Sequence, residues 1–231
     1  MLYIEYMNNL TSIFVIFTLL NGGHCWSPNH YPFLPASTDT SKVREMIIAA
    51  QGENKRILDI GCGFGYSTSS SEGSLGIDTR EYHIKKAKQL FPNKNFRRSF
   101  FNAKNFDEDY DVVTLMFHLN NVPQYIRRTL IESAIKIAKE RVVIVDIDPD
   151  YKPEPELLNK RMYIPDYMKN CRDDLSLFQE NVLVTGLLKL WIYNKTNRQE
   201  EIYEKYNEHK LHAPYNNEDI TNSCYEEFMY E

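Results

Sequence analysis

Residues 57 to 78 read ILDIGCGFGYSTSSSEGSLGID, and their reading decides the fold. Two short apolar runs, Ile57 to Ile60 and Leu75 to Ile77, enclose a glycine-rich turn. An aspartate stands near the end of each run, Asp59 in the first and Asp78 after the second. Glycines placed as Gly61, Gly63 and Gly65 let the backbone take conformations closed to other residues and approach a ligand closely. In an open parallel sheet such a turn lies beyond the carboxyl end of a strand, where ligands bind. The pattern is D-x-G-x-G-x-G. It departs from the dinucleotide fingerprint G-x-G-x-x-G at Tyr66, where a third small residue is needed for helix–strand packing. It is not a phosphate-binding P-loop either, because no Gly-Lys-Ser/Thr follows. Asp78 follows Asp59 by 19 residues. A carboxylate at that strand end accepts two charge-assisted hydrogen bonds from a ribose diol. The glycines give access, and Asp78 gives grip on a sugar.

The chain around this stretch alternates between helix and strand periods. Val43, Met46, Ile47 and Ala50 recur at helical spacing, which predicts an amphipathic helix over 41–50. A second helix is expected over 81–91, with Ile84, Ala87 and Phe91 inward and Pro92 at its end. Residues 95–100 suit an edge strand, and DVVTLM (111–116) a central one. Ile126, Leu130, Ala134, Ile135 and Ala138 mark a helix over 124–139, and RVVIVDI (141–147) a fully apolar strand. Strands alternating with helices imply a parallel sheet covered on both faces.

After Pro149 the pattern changes. Residues 150–175 are rich in Pro, Tyr, Asp and Lys and suggest a lid-like insertion. Residues 181–185 and 187–193 flank Gly186 as an antiparallel hairpin, and a charged, Tyr-rich tail occupies 196–231. The organisation expected is a lead-in over 1–40, a ligand-binding domain over 41–195, and that tail.

Composition bounds the function. In 231 residues, 27 Lys and Arg face 32 Asp and Glu, a formal net charge of −5 that does not favour a nucleic-acid partner. Cys25, Cys62, Cys171 and Cys224 form no C-x-x-C pair, and His24, Cys25 and His30 have no fourth ligand at a metal-site spacing, so no metal is expected. Residues 10–20 carry no charge but are too few for a membrane span of about 20 residues. Their length suits a signal-peptide core, yet no Lys or Arg precedes Lys42. An apolar helix packed on the domain and a start codon placed too early remain the alternatives. A cytoplasmic location is the expectation, with secretion or membrane anchoring only through residues 10–20.

At ILDIGCGFG and LGID the chain resembles the class I S-adenosylmethionine-dependent methyltransferases, in their first motif and their ribose acid. Residues 101–123 resemble the adenine-contacting turn and fourth strand of that family, and RVVIVDIDP (141–149) its fifth strand. The resemblance covers roughly residues 41–195. It implies a doubly wound, mostly parallel Rossmann-like α/β sheet ending in an antiparallel hairpin, with S-adenosylmethionine as cofactor. It implies cofactor-binding roles for Asp59, Gly61, Cys62, Gly63, Asp78, Asn102, Ala103 and Phe117. Many members carry Asp where this chain has Asn102, whose amide oxygen still accepts a hydrogen bond.

Asp59 is expected to act indirectly, by hydrogen-bonding the glycine turn, and Cys62 to be a small residue of that turn. His118, after the fourth strand, is a candidate general base, with structural packing as its alternative. Asp146 and Asp148 point to one face, one of them capping the following turn. Tyr31 could close over the cofactor or be buried at the surface. Tyr163 or Tyr167 could orient the acceptor from the insertion, whose alternative is a loop packed on the sheet edge. The acceptor itself, a small molecule or a protein side chain, is not named by any motif. Two functions remain open: methyl transfer, or a binding protein that keeps the fold without catalysis.

Overall fold

The computed structural model describes residues 34, 38–102, 106, 110–153, 158 and 161–195. The apolar run 10–20, Tyr31, Ala103 and the tail 196–231 lie outside the described residues. In chain order the elements are α1 (Thr40–Ala49), β1 (Ile57–Ile60), β2 (Leu75–Asp78), α2 (Glu81–Leu90), β3 (Phe96–Arg98) and β4 (Tyr110–Met116). A 3-10 turn (Leu119–Asn121), α3 (Gln124–Ile137), β5 (Ala138–Ile147), α4 (Ile164–Asp174), β6 (Gln179–Val184) and β7 (Leu188–Asn194) follow.

The seven strands form one sheet in the order β3-β2-β1-β4-β5-β7-β6. The first five are parallel, and β7 runs antiparallel to both β5 and β6. Chain order therefore runs outward from β1 to β3, returns to β4, and continues the other way. Right-handed crossovers place the helices of the two halves on opposite faces, so the sheet is doubly wound as expected. The reversal falls between β1 and β4.

Burial explains which segments became central strands. All of β1 is buried, as are Val112 to Met116 of β4 and Val142 to Ile147 of β5. Such runs, buried throughout and apolar but for Asp59, Thr114 and Asp146, suit a strand covered on both faces. The hairpin turns at Gly186, whose φ of 67° lies in the left-handed region. At its start α1 is capped by Asp39, whose carboxylate accepts from the Ser41 and Lys42 amides at 3.1 Å.

Three features differ from the sequence reading. Helix α3 gives way to β5 at Ala138 with no turn between them. Ile135 and Ala138 fit the helical stripe and the strand equally, so spacing alone does not mark the change. Residues 61–74, joining parallel β1 and β2, contain no helix at all. Finally, the insertion after β5 contains α4, which packs on α3. Arg127, buried in α3, pairs with Asp174 at 2.7 Å and with Asp166 at 3.0 Å. Arg128 and Gln124 also reach the Asp174 carboxylate, at 2.6 and 3.1 Å. Residues 164–174, within the expected lid-like insertion 150–175, are thus a bound helix. No helix among the described residues is long and apolar enough to cross a membrane.

Candidate functional site

Beyond the carboxyl ends of β1, β2 and β4, the residues singled out in the sequence converge. The glycine turn is stitched to β2 by its first three amides. Gly61 and Cys62 both donate to the Ile77 carbonyl at 2.9 Å, and Gly63 donates to Asp78 Oδ2 at 3.0 Å. Two glycines there are required for different reasons. At Gly61 (φ 71°) a Cβ would stand 2.5 Å from His118 Nδ1. At Gly63 (φ 54°) nothing lies within 4 Å of the Cβ position, so that face of the turn is open.

Asp78 is the centre of the polar geometry. Besides Gly63, its Oδ2 faces His83 Nδ1 at 3.1 Å, while Oδ1 accepts from the Arg80 amide at 2.8 Å. Burial alone would raise its pKa, but the His83 hydrogen bond and charge, the Arg80 amide and His118 together hold it below the usual carboxylate value. Asp78 is therefore an anion held at the mouth of the turn.

Asp59 works differently from the expectation. It is fully buried, and it accepts from the hydroxyls of Ser67 (2.8 Å), Thr68 (2.7 Å) and Thr114 (3.1 Å). Thr114 is its register partner on β4. Asp59 thus anchors the middle of the 61–74 segment to the sheet rather than the glycine amides. Burial raises its pKa against the pull of those hydroxyls. Cys62 is buried beneath the turn, and burial with the Asp59 and Asp78 charges pushes its thiol far above the ordinary value. It is a packing residue without thiolate character.

On the opposite side, β4 is followed at once by Phe117, the one described non-glycine residue with positive φ (56°). Its amide donates to the Val145 carbonyl at 2.7 Å, and its buried ring lies 4.8 Å beneath the Arg44 guanidinium. Arg44, brought in by α1, also donates to Ser67 Oγ at 3.1 Å. His118 follows, against Gly61. Burial lowers its pKa, the Arg44 and Arg80 charges act in the same direction, and Asp78 opposes them. Its ring is therefore a neutral imidazole near pH 7.

Asp146 of β5 and Asp148 just beyond it take separate tasks. Asp146 is fully buried and accepts from the amides of Leu119 (3.0 Å) and Asn120 (3.3 Å), the Asn120 side chain, and Ile147. It fixes the turn that carries His118, and burial raises its pKa to about 6. Asp148 caps the next turn through the Asp150 amide at 3.0 Å. Tyr167 is buried with its hydroxyl on the Ile147 carbonyl at 2.8 Å, so it is not presented to an acceptor. Tyr163 immediately precedes α4 and is partly buried, as is Asn102 beyond β3.

Sequence reasoning missed Arg44, His83 and the Ser67–Thr68 pair. Arg44 lies one position along from Val43, at the border of an apolar stripe where a cation is conspicuous. Ser67 and Thr68 open the hydroxyl-rich stretch YSTSSS (66–71), which offered donors for a buried carboxylate. Nothing in spacing marks His83.

No family model matches the chain. It is 32% identical over 109 residues to "Putative methyltransferase 235L" of Invertebrate iridescent virus 6, a match spanning 45% of this chain and 41% of that protein. The matched part is thus less than half of the viral relative. Among solved structures, the fold is similar to magnesium protoporphyrin IX methyltransferase from Synechocystis PCC 6803. With bound S-adenosylmethionine the TM-score is 0.52 at 14% identity, covering 83% of this chain and 94% of that one. With S-adenosylhomocysteine it is 0.52 at 15% identity, covering 83% and 97%. The chain has the class I S-adenosylmethionine-dependent methyltransferase fold.

Proposed function

We propose that this chain is an S-adenosylmethionine-dependent methyltransferase acting on a small molecule or a protein side chain. The observation that carries the reading is the bond from Gly63 to Asp78: it joins an open glycine face and an ionised strand-end carboxylate into one surface beyond the carboxyl ends of β1 and β2, beside the point where the sheet reverses. A nucleoside fits there chemically. Asp78 would accept from the ribose hydroxyls, the Gly61–Gly63 backbone would lie along the ligand, and Arg44 would face a carboxylate on its amino-acid part. Asn102 and Ala103 are proposed for the adenine end.

Bound there, the cofactor supplies an already activated methyl group. The chain then has mainly to align an acceptor, and positioning alone is worth on the order of 7–11 kcal/mol in well-oriented cases. A base is needed only where the acceptor carries a proton of high pKa. His118, held neutral by burial and by two arginines, is the side chain able to take that proton. Asp146 keeps it in place through the Leu119 and Asn120 amides. Residues 151–163, with Tyr163, are proposed to border the acceptor.

Calorimetry with S-adenosylmethionine, S-adenosylhomocysteine and NAD tests the reading; binding of NAD alone overturns it. Asn102, where the resemblance to the methyltransferase family leads one to expect Asp, supports a second reading as a binding protein without turnover. Labelled methyl appearing in any component of a metabolite or protein extract removes that second reading.

A further inference from the structure

His83 was not marked by any motif, yet it occupies a lone pair that the proposed ligand needs. A carboxylate offers about four acceptor positions, two on each oxygen. On Asp78, Oδ2 already faces Gly63 N–H at 3.0 Å and His83 Nδ1 at 3.1 Å, and Oδ1 takes Arg80 N–H at 2.8 Å. One position is left, on Oδ1. A ribose diol gripped by both oxygens needs one on each, so a donor must leave Oδ2.

The two donors on Oδ2 differ in freedom. The Gly63 amide cannot withdraw alone, because the preceding Gly61 and Cys62 amides are both fixed on the Ile77 carbonyl. His83 hangs from the first turn of α2, with its side chain 24% exposed. Its ring rests edge-on against Phe64 at 5.1 Å and lies 6.2 Å from Tyr82. It can rotate away without disturbing the sheet. Because Asp78 is held ionised and can only accept, His83 must donate from a protonated Nδ1.

We propose that His83 is a displaceable latch on the ribose acid and a specificity-determining residue for diol-bearing nucleosides. In the free protein it holds the Asp78 carboxylate in place. A ligand with two adjacent hydroxyls must evict it, and the cost of eviction is subtracted from the affinity. A ligand with one hydroxyl uses the vacant position on Oδ1 and leaves the latch closed. The inference rests on the cofactor reading above.

His83→Phe tests it, since a phenyl ring keeps the contacts with Phe64 and Tyr82 but removes the donor. By calorimetry, S-adenosylhomocysteine is expected to bind the variant about five- to tenfold more tightly than the native protein, the scale of one hydrogen bond. Its 2′-deoxy analogue should bind both proteins equally. In the native protein, the ¹⁵N signal of His83 Nδ1 should shift when S-adenosylhomocysteine is added, a readout that does not depend on the variant folding. Unchanged or weaker S-adenosylhomocysteine binding by a folded variant overturns the latch alone, and so does a static His83 signal at saturation. If the native protein binds neither nucleoside, the cofactor reading falls and the latch falls with it.

Discussion

His118 fills the space that any side chain on Gly61 would need: a Cβ there would stand 2.5 Å from Nδ1 and 2.7 Å from Cγ of the ring. The candidate base and the cofactor-side turn are therefore in direct contact. Gly61→Ala should lose roughly 1–2 kcal/mol to the left-handed backbone and about 1–3 kcal/mol more to overpacking. Adding His118→Ala should recover the second part only. Urea midpoints of the single and double variants separate the two contributions, and a full recovery would show that backbone conformation costs nothing here.

Asp78→Ala should weaken S-adenosylhomocysteine binding by roughly 1.5–3 kcal/mol, the worth of a hydrogen bond to a charged group. Calorimetry reads the loss directly. An affinity equal to that of the native protein would remove Asp78 from the site.

The cluster joining α3 to α4 is a second, independent target. Arg127 and Asp174 have fully buried side chains 2.7 Å apart. Asp174→Ala leaves Arg127 with one carboxylate, the partly exposed Asp166, and the Val122 carbonyl. Loss of one partner from a buried pair costs about 3–5 kcal/mol, so the urea midpoint should fall sharply. Replacing both by apolar residues, Arg127→Met with Asp174→Leu, should cost much less.

Asp146 gives the molecule a pH dependence of defined sign. Its pKa is raised by burial to about 6 in the folded protein, against the model-peptide value of 3.8. The folded state therefore binds the proton more tightly than the unfolded chain. The associated stability is fully present below about pH 4 and is lost as pH rises through about 6, an effect on the order of 3 kcal/mol. Asp146→Asn should be less stable at low pH, because an amide NH2 then faces the donors of Leu119 and Asn120. Its difference from the native protein should shrink from pH 4 to pH 6 and stay constant above. Urea unfolding at intervals across that range checks both statements.

Much of the fold could be read from the sequence because local chemistry and tertiary role coincide. Asp59 stands next to the end of β1 and Asp78 ends β2, the largely apolar runs of β4 and β5 admit few other readings, and Gly186 marks its hairpin. Where the two diverge, the sequence misleads. In residues 164–174 Ile164, Tyr167, Met168 and Cys171 do fall at helical spacing, but the stripe is short and set among Pro, Asp, Lys and Arg, and the helix is also held by ions that a sequence cannot show as paired. Pro165, which reads as a stiffener of a lid, stands in the first turn of α4, where proline suits a helix start. Within the site, the turn and its acid were legible. The contributions of Arg44, His83 and Asp146 depend on contacts between elements distant in sequence, which no spacing records.

The helix-free crossing from β1 to β2 changes what keeps the turn in shape. A helix carries its own ladder of amide bonds and holds its form whatever lies beneath it. Here the middle of the crossing leans instead on three hydroxyls gathered by one buried carboxyl group, Asp59. Because one of those hydroxyls, Thr114, belongs to β4, that carboxyl group is a rivet through two strands and the crossing together. A disturbance of the strand leading to His118 is thereby felt in the turn, and a disturbance of the turn is felt in that strand.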